Sequence, residues 1–170
     1  MSARQLAKLI ALVTVTFSIC ISLLWISDGS ASPIFEEILS TFNVIATLLA
    51  TLSVVMFNYI ENISKDLGEI RKDVKRTEFC VVIDALSSLK REILLNGGLI
   101  VTLLILEKTI KGLSLYLFSY IPEGKLALFL YFILSLRFSF FCVSVFAASI
   151  QLKGFITAIE YRDIFLKNRK

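Results

Sequence analysis

The sequence predicts an all-α integral membrane protein with four transmembrane helices and a cytoplasmic helical hairpin. Apolar residues make up 56% of the 170 residues and charged residues only 19%, and the mean hydropathy is +0.80. Four stretches each hold the roughly 20 mostly apolar residues that a helix needs to cross a bilayer. Only 2 Pro and 7 Gly are present, which disfavours a disordered, collagen-like or turn-rich β protein.

The four apolar stretches define the predicted transmembrane helices. The first resembles a signal peptide, but its apolar run exceeds the roughly 7–15 residues typical of one, so we expect it to be retained. Trp25, at its end, is expected to anchor it at the membrane interface. The stretches run from about Leu6 to Ile26, from about Ile34 to Ile60, from about Ile93 to Ile121 and from about Leu126 to Leu152.

The basic residues predict the orientation. Arg4 and Lys8 precede the first span, and no Lys or Arg separates the first span from the second. Seven basic residues lie between the second and third spans, only Lys125 lies between the third and fourth, and five follow the fourth. Because short cytoplasmic segments are enriched in Lys and Arg, both termini and the middle loop are predicted to be cytoplasmic.

This orientation divides the chain into four segments. Residues 1–60 hold transmembrane helices 1 and 2, and residues 93–152 hold transmembrane helices 3 and 4. Between them, residues 61–92 form a cytoplasmic, coiled-coil-like helical segment. Residues 153–170 form a cytoplasmic amphipathic tail, in which apolar and charged residues alternate at helical spacing.

The cytoplasmic segment carries an apolar seam, with steps of three and four residues that are typical of coiled coils. Seven basic and seven acidic residues balance within this segment, which disfavours a nucleic-acid-binding face. Two interpretations stay open: the halves of a hairpin turning near Thr77 pack on each other, or the seam packs against other copies or a soluble partner. The seam consists of Ile63, Leu67, Ile70, Val74, Val82, Leu86 and Leu89.

Charged residues interrupt the third and fourth apolar stretches: Glu107, Lys108, Lys111 and Arg137. Counted from the outer hairpin, Glu107 and Arg137 differ in depth by about three residues, or roughly 4–5 Å at helical rise. In one interpretation, the charged residues form a structural ion pair inside the bundle. In a second, they line a water-filled path whose excess positive charge favours anions. In a third interpretation, the third span is shorter and Lys108 and Lys111 extend to the interface.

No catalytic or metal-binding motif is present. The chain has no His and only 3 Cys, and it lacks a Gly-rich phosphate loop and a nucleophile elbow. We interpret the cysteines as small apolar fillers. The sequence therefore predicts a protein that is not an enzyme and that has no metal and no cofactor.

The function class that we expect is a small oligomeric membrane sensor or scaffold. Its expected partners are the lipid bilayer, further copies of the chain and a cytoplasmic protein, with no direct contact to nucleic acid. The alternative is an oligomeric ion channel or a membrane-disrupting, pore-forming effector. Neighbouring copies are expected because the chain is small and carries its own heptad seam.

The whole outline resembles the membrane subunit of the Kiwa anti-phage defence system. The shared features are the size, the four spans, both termini inside and a helical cytoplasmic loop. This resemblance implies a multi-pass protein of the bacterial inner membrane that forms oligomers and senses phage-induced membrane perturbation. It also implies a cytoplasmic, DNA-binding partner protein for antiviral defence.

Overall fold

The computed structural model describes the backbone of residues 3–70 and 76–167. Side chains are described for the same residues except 3–6, 66–70, 76–81, 123, 161 and 163–167. All regular structure in this part of the chain is helical. The elements are α1 (Ala3–Ile26), α2 (Ser32–Ser40), α3 (Phe42–Ile70), α4 (Arg76–Leu117), a short 3-10 helix (Phe118–Tyr120) and α5 (Glu123–Lys167).

Four segments are helical, long and apolar enough to cross a membrane. They are Ala7–Ile26 of α1, Phe42–Lys65 of α3, Val82–Tyr120 of α4 with the 3-10 turn, and Gly124–Glu160 of α5. Their number and their all-α character confirm the predicted fold class.

The helices α4 and α5 are much longer than a bilayer crossing requires. They contain 42 and 45 residues, which correspond to about 63 and 68 Å at helical rise. The hydrocarbon core is only about 30 Å thick, so a large part of each helix lies outside it. Thr77, near which a turn was expected, already lies within α4.

The second apolar stretch is divided into two helices. The helix long enough to span a membrane begins at Phe42, whereas the sequence placed its start near Ile34. The hydroxyls of Ser40 and Thr41 donate hydrogen bonds of 2.7 and 2.8 Å to carbonyl oxygens three residues earlier. Such local bonds compete with regular helix hydrogen bonding, and they coincide with the end of α2.

The turn between α1 and α2 is closed by backbone geometry and by contact with α5. Asp28 and Gly29 have positive φ angles of 48° and 78°, and the Gly29 N–H donates to the carbonyl of Leu24 at 2.9 Å. A Cβ atom at Gly29 would lie 2.5 Å from the hydroxyl oxygen of Tyr131. Glycine is therefore favoured here by its φ angle, and a Cβ atom would in addition displace the end of the Tyr131 side chain.

The described helices contribute to two compact units. The first combines Met1–Thr47 with Leu99–Phe146. Its core contains Cys20, Leu24, Phe35, Leu39 and Leu134. Two edge-to-face aromatic pairs extend this core: Phe35 with Phe138 at 4.7 Å and Phe42 with Phe141 at 5.5 Å between ring centroids.

The second unit combines Leu48–Gly98 with Ala147–Lys170. Its core brings together side chains from α3, α4 and α5, and small residues let these helices approach closely. Gly97 on α4 lies against Ser53 on α3, and Gly154 on α5 lies against Leu89 on α4. The buried core residues are Met56, Ile60, Ile63, Leu86, Ile93 and Ala158.

The adjacent pair Gly97 and Gly98 provides a matched test of this close approach. A Cβ at Gly97 would lie 3.1 Å from the Ser53 Cβ, whereas a Cβ at Gly98 would meet no atom within 4 Å. Both Gly→Ala changes gain helix propensity, about 0.5–1 kcal/mol, but only Gly97→Ala crowds a neighbour. We expect Gly97→Ala to be less stable than Gly98→Ala by about 1–2 kcal/mol, measured from thermal unfolding in detergent. Equal unfolding midpoints would show that α3 and α4 are not this close.

Candidate functional site: a buried ion pair between α4 and α5

The first unit contains an ion pair between the two longest helices. Glu107 on α4 has no exposed surface, and the side chain of Arg137 on α5 is 12% exposed. The Arg137 Nε and Nη2 atoms donate to the same carboxylate oxygen, Glu107 Oε1, at 2.8 and 2.6 Å. The structure thus brings together the two charges whose similar depth was noted in the sequence. Charge-assisted bonds of this length are among the stronger hydrogen bonds in proteins.

The second oxygen of Glu107 faces a lysine. Lys108 Nζ lies 3.1 Å from Glu107 Oε2, and the Lys108 side chain is 38% exposed. This ion pair lacks hydrogen-bond geometry, since Oε2 accepts no hydrogen bond from the described residues. The buried carboxylate is therefore held mainly by Arg137, and Lys108 adds a weaker, partly exposed positive charge.

Lys111, the fourth predicted residue, does not join this cluster. Its side chain is exposed, and within the part of the chain that the structure describes it forms no ion pair. The favourable spacing of Glu107 and Lys111 along α4 is consequently not used. The three residues in contact, Glu107, Lys108 and Arg137, carry one net positive charge.

The helix α5 also buries polar residues that the sequence analysis did not single out as a group. Ser135, Ser139 and Ser144 have almost no exposed surface. The hydroxyls of Ser139 and Ser144 donate to carbonyl oxygens four residues earlier, at 2.8 and 2.9 Å. A serine that bonds its own helix needs no partner on another helix, which explains why Ser139 and Ser144 suit close packing. The hydroxyl of Ser135, by contrast, has no hydrogen-bond partner among the described residues.

In the second unit, Ser53 and Gln151 form a buried polar contact. The Ser53 hydroxyl shares its proton between the Leu49 carbonyl at 2.8 Å and Gln151 Oε1 at 3.1 Å. Gln151 was not predicted as a site residue. In the sequence, Gln151 stands out only as an amide residue at the end of an apolar stretch, and this position does not identify Ser53 as its partner.

In the second unit, charged residues of the segment 61–92 also connect α3 to α4. Glu61 on α3 forms ion pairs with Lys90 on α4 and with Lys65 one turn later. Lys90 also lies 5.3 Å from the ring centroid of Phe57. The sequence analysis had counted these charges only as a balanced set and had not assigned them partners.

A second polar contact joins α3 to α5 in this unit. The Arg162 Nη1 atom donates to the Tyr59 hydroxyl at 2.9 Å, and the guanidinium lies 5.8 Å from the Tyr59 ring centroid. Tyr59 also packs edge-to-face against Phe155, with 5.3 Å between ring centroids. The beginning of the predicted tail is thus packed against α3.

The described members of the apolar seam pack within the chain. Ile63 and Leu86 belong to the core of the second unit, and Val82 and Leu89 are partly buried against it. This arrangement matches the interpretation in which the two halves pack on each other. The side chains of Leu67 and Ile70, and the whole of Val74, lie outside the described residues, so their role in an interaction surface stays a prediction.

The four apolar helices define the class of this protein, a multi-pass all-α membrane protein. Among the described side chains, no group of three or more His, Cys, Asp or Glu could hold a metal ion. No family model, no curated protein and no solved structure matches the chain.

Proposed function

We propose that the chain is a small oligomeric scaffold of the cell inner membrane that docks a cytoplasmic protein. The observation that favours a scaffold over a pore is the closed ion pair of Glu107 and Arg137. Charges that line a water-filled path are expected to face water. Glu107 instead has no exposed surface, and one of its carboxylate oxygens accepts a hydrogen bond from Arg137. A carboxylate paired in this way is not available to a passing ion.

The proposed orientation places both termini and residues 61–92 in the cytoplasm. It is supported by the basic residues in these segments and by four membrane-length helices, an even number of crossings. The lengths of α4 and α5 also leave helical segments outside the bilayer. These projecting segments are the part of the chain that a soluble protein would reach.

The docking surface on the projecting part of α4 is proposed to be its polar face. Leu86 and Ile93 point into the core and Leu89 packs against it, so the exposed residues on the opposite side of the helix carry the outward face. Asp84, Ser87, Ser88 and Arg91 are exposed, and their spacing of three and four residues puts them on one side of the helix. A polar face of mixed charge suits a transient protein partner more than a lipid surface or a nucleic acid.

The biological setting is proposed to be antiviral defence. This proposal rests on the likeness in architecture to the membrane subunit of the Kiwa anti-phage defence system. In that setting the membrane part responds to a perturbed bilayer, and the projecting helices pass the response to the cytoplasmic partner. The weakly buried helix α1, of which the apolar segment is only 11% buried, is the element most exposed to changes in the lipid.

Ion flux in proteoliposomes separates the scaffold from the pore. We expect the wild-type protein to release neither chloride nor potassium faster than protein-free liposomes do, because Glu107 and Arg137 are paired with each other and nearly inaccessible. The matched variant is Glu107→Leu with Arg137→Met, which removes both charges and approximately keeps the side-chain volumes. Flux through the wild-type protein that disappears in this variant would contradict the scaffold proposal and show an anion- or cation-conducting pore. Flux that is absent in both would support the scaffold.

A further inference from the structure

Two carboxylates of the first unit are exposed at the level of the buried ion pair. Phe35 and Leu39 hold α2 against α5, and the Phe35 ring meets Phe138 at 4.7 Å between centroids. The intervening residues Glu36 and Glu37 are exposed. They therefore lie beside the part of α5 that contains Phe138.

The same level along α5 holds the basic residues. Arg137, which directly precedes Phe138, bonds Glu107 on α4. Lys108 is the next residue on α4, and Lys111 lies one turn beyond Glu107, about 6 Å along the helix. The layer thus contains the acidic residues Glu36, Glu37 and Glu107 and the basic residues Lys108, Lys111 and Arg137.

This layer lies far from the end of the α5 helix. Phe138 is 15 residues after Glu123, where α5 begins, a distance of about 22 Å along the helix. Lys108 and Lys111 lie in a segment apolar enough to cross a membrane, whereas α2 belongs to no such segment. Uncompensated charges within a bilayer are unfavourable and usually pair with one another, so the two lysines are the residues that need acidic partners. Yet none of Glu36, Glu37 and Lys111 makes an ion pair with any described residue.

We propose that Glu36 and Glu37 of one copy of the chain pair with Lys111 and Lys108 of the next copy. The two sets have opposite charge, lie within roughly one helical turn of the same level, and are exposed or partly exposed on different helices, so they complement each other between copies. Exposed apolar residues flank both sets on the same helix faces: Ile34 beside Glu37, and Ile105 and Leu115 beside the lysines. An interface between two different surfaces is heterologous, and it closes into a ring when the rotation between copies permits.

This interface rests on the proposed homo-oligomer and names the surface that forms it. Without a second copy, the basic and the acidic residues would each need a different partner. Lipid phosphates could neutralise Lys108 and Lys111, and water could reach Glu36 and Glu37 if the bilayer surface lay at α2. The experiments below distinguish these occupants from a second copy.

Charge reversal tests the pairing. Glu37→Lys, and separately Lys111→Glu, should each lower the oligomeric fraction in mild detergent about tenfold or more, because like charges then meet. The combined variant should restore the oligomer, as measured by native mass spectrometry. Lys108 is left unchanged because it contacts Glu107, and Lys125→Glu on the exposed hairpin is the control that should have no effect. Failure of the combined variant to recover, with wild-type folding by circular dichroism, would contradict the pairing.

Cross-linking between distinguishable copies tests its location. One copy carries Glu37→Cys and the other, with a different affinity tag, carries Lys111→Cys, both in a background of Cys20→Ala, Cys80→Ala and Cys142→Ala. Oxidation should give a disulfide that joins the two tags, and Leu115→Lys in the second copy should reduce it. Rapid labelling of Glu37→Cys by a membrane-impermeant maleimide, without cross-linking, would show an open face and overturn the interface.

The outcomes separate this interface from the proposed oligomer. If native mass spectrometry shows a wild-type oligomer that neither charge reversal nor cysteine cross-linking affects, the copies meet elsewhere and the scaffold proposal stands. If the wild-type protein is a monomer in lipid nanodiscs as well as in detergent, both proposals are wrong.

Discussion

Replacing Arg137 with Ala should lower the free energy of unfolding by about 3 kcal/mol, since removing one partner leaves a buried charge uncompensated. Glu107 has no exposed surface, and both hydrogen bonds to its Oε1 atom come from Arg137. Lys108 remains 3.1 Å from the other oxygen, which places the expected loss at the lower end of the range for such pairs. The measurement is the yield of monodisperse protein in detergent together with its thermal unfolding midpoint.

A double replacement tests whether the ion pair itself stabilises the fold, or whether only the loss of one partner is harmful because it leaves the other charge buried alone. Glu107→Leu with Arg137→Met removes both charges, and buried pairs replaced by apolar residues of similar volume are often as stable as the original. We therefore expect stability close to that of the wild type. Lys125→Ala, at the exposed hairpin, is the control for loss of a positive charge. A double variant as unstable as Arg137→Ala would mean that the pair itself contributes the stability.

Leu86→Ala should destabilise the second unit by about 3 kcal/mol, within the usual range of roughly 2–5 kcal/mol for a buried Leu. Leu86 is 1% exposed and packs in the same core as Ile60, Ile63 and Ala158. Truncating it removes apolar contacts from three helices and leaves a cavity that rigid helices fill only in part. Urea unfolding, followed by circular dichroism, measures the loss.

Leu94→Ala is the matched control on the same helix. Leu94 is 66% exposed, so its truncation should change the free energy of unfolding by less than about 1 kcal/mol. Similar losses for Leu86→Ala and Leu94→Ala would show that this face of α4 is not the buried one. The comparison also tests whether the apolar seam is internal, since a seam exposed for a partner would tolerate truncation of Leu86 in the isolated chain.

Much of the fold follows from local sequence patterns. The apolar stretches around Leu12, Leu49, Val101 and Ile133 are each long enough to specify a membrane-length helix, and all four occur as helices. The long helical continuations of α3 and α5 also agree with the polar, Pro-free segments that follow these stretches. The end of α2 was not anticipated, because it coincides with hydroxyl bonds of Ser40 and Thr41 that apolar periodicity does not encode.

The sequence predicts the candidate site only in part. Similar depth made Glu107 and Arg137 plausible partners, but the same pattern offered Lys111 to Glu107 one turn away. The structure pairs Glu107 with Arg137 and Lys108 and leaves Lys111 exposed. Gln151 and Ser53 illustrate the same limit, since they lie 98 residues apart and meet at 3.1 Å.

The sequence by itself determined which segments are helices and which of them suit a bilayer, because helix formation and transfer into lipid depend on residues within about 20 positions of one another. The tertiary structure decided which charges pair, that the described seam is internal, and which faces of α2 and α4 stay exposed. These features depend on how close the helices approach and at what register. Contacts distant in sequence set both, such as Gly97 against Ser53 and Phe35 against Phe138.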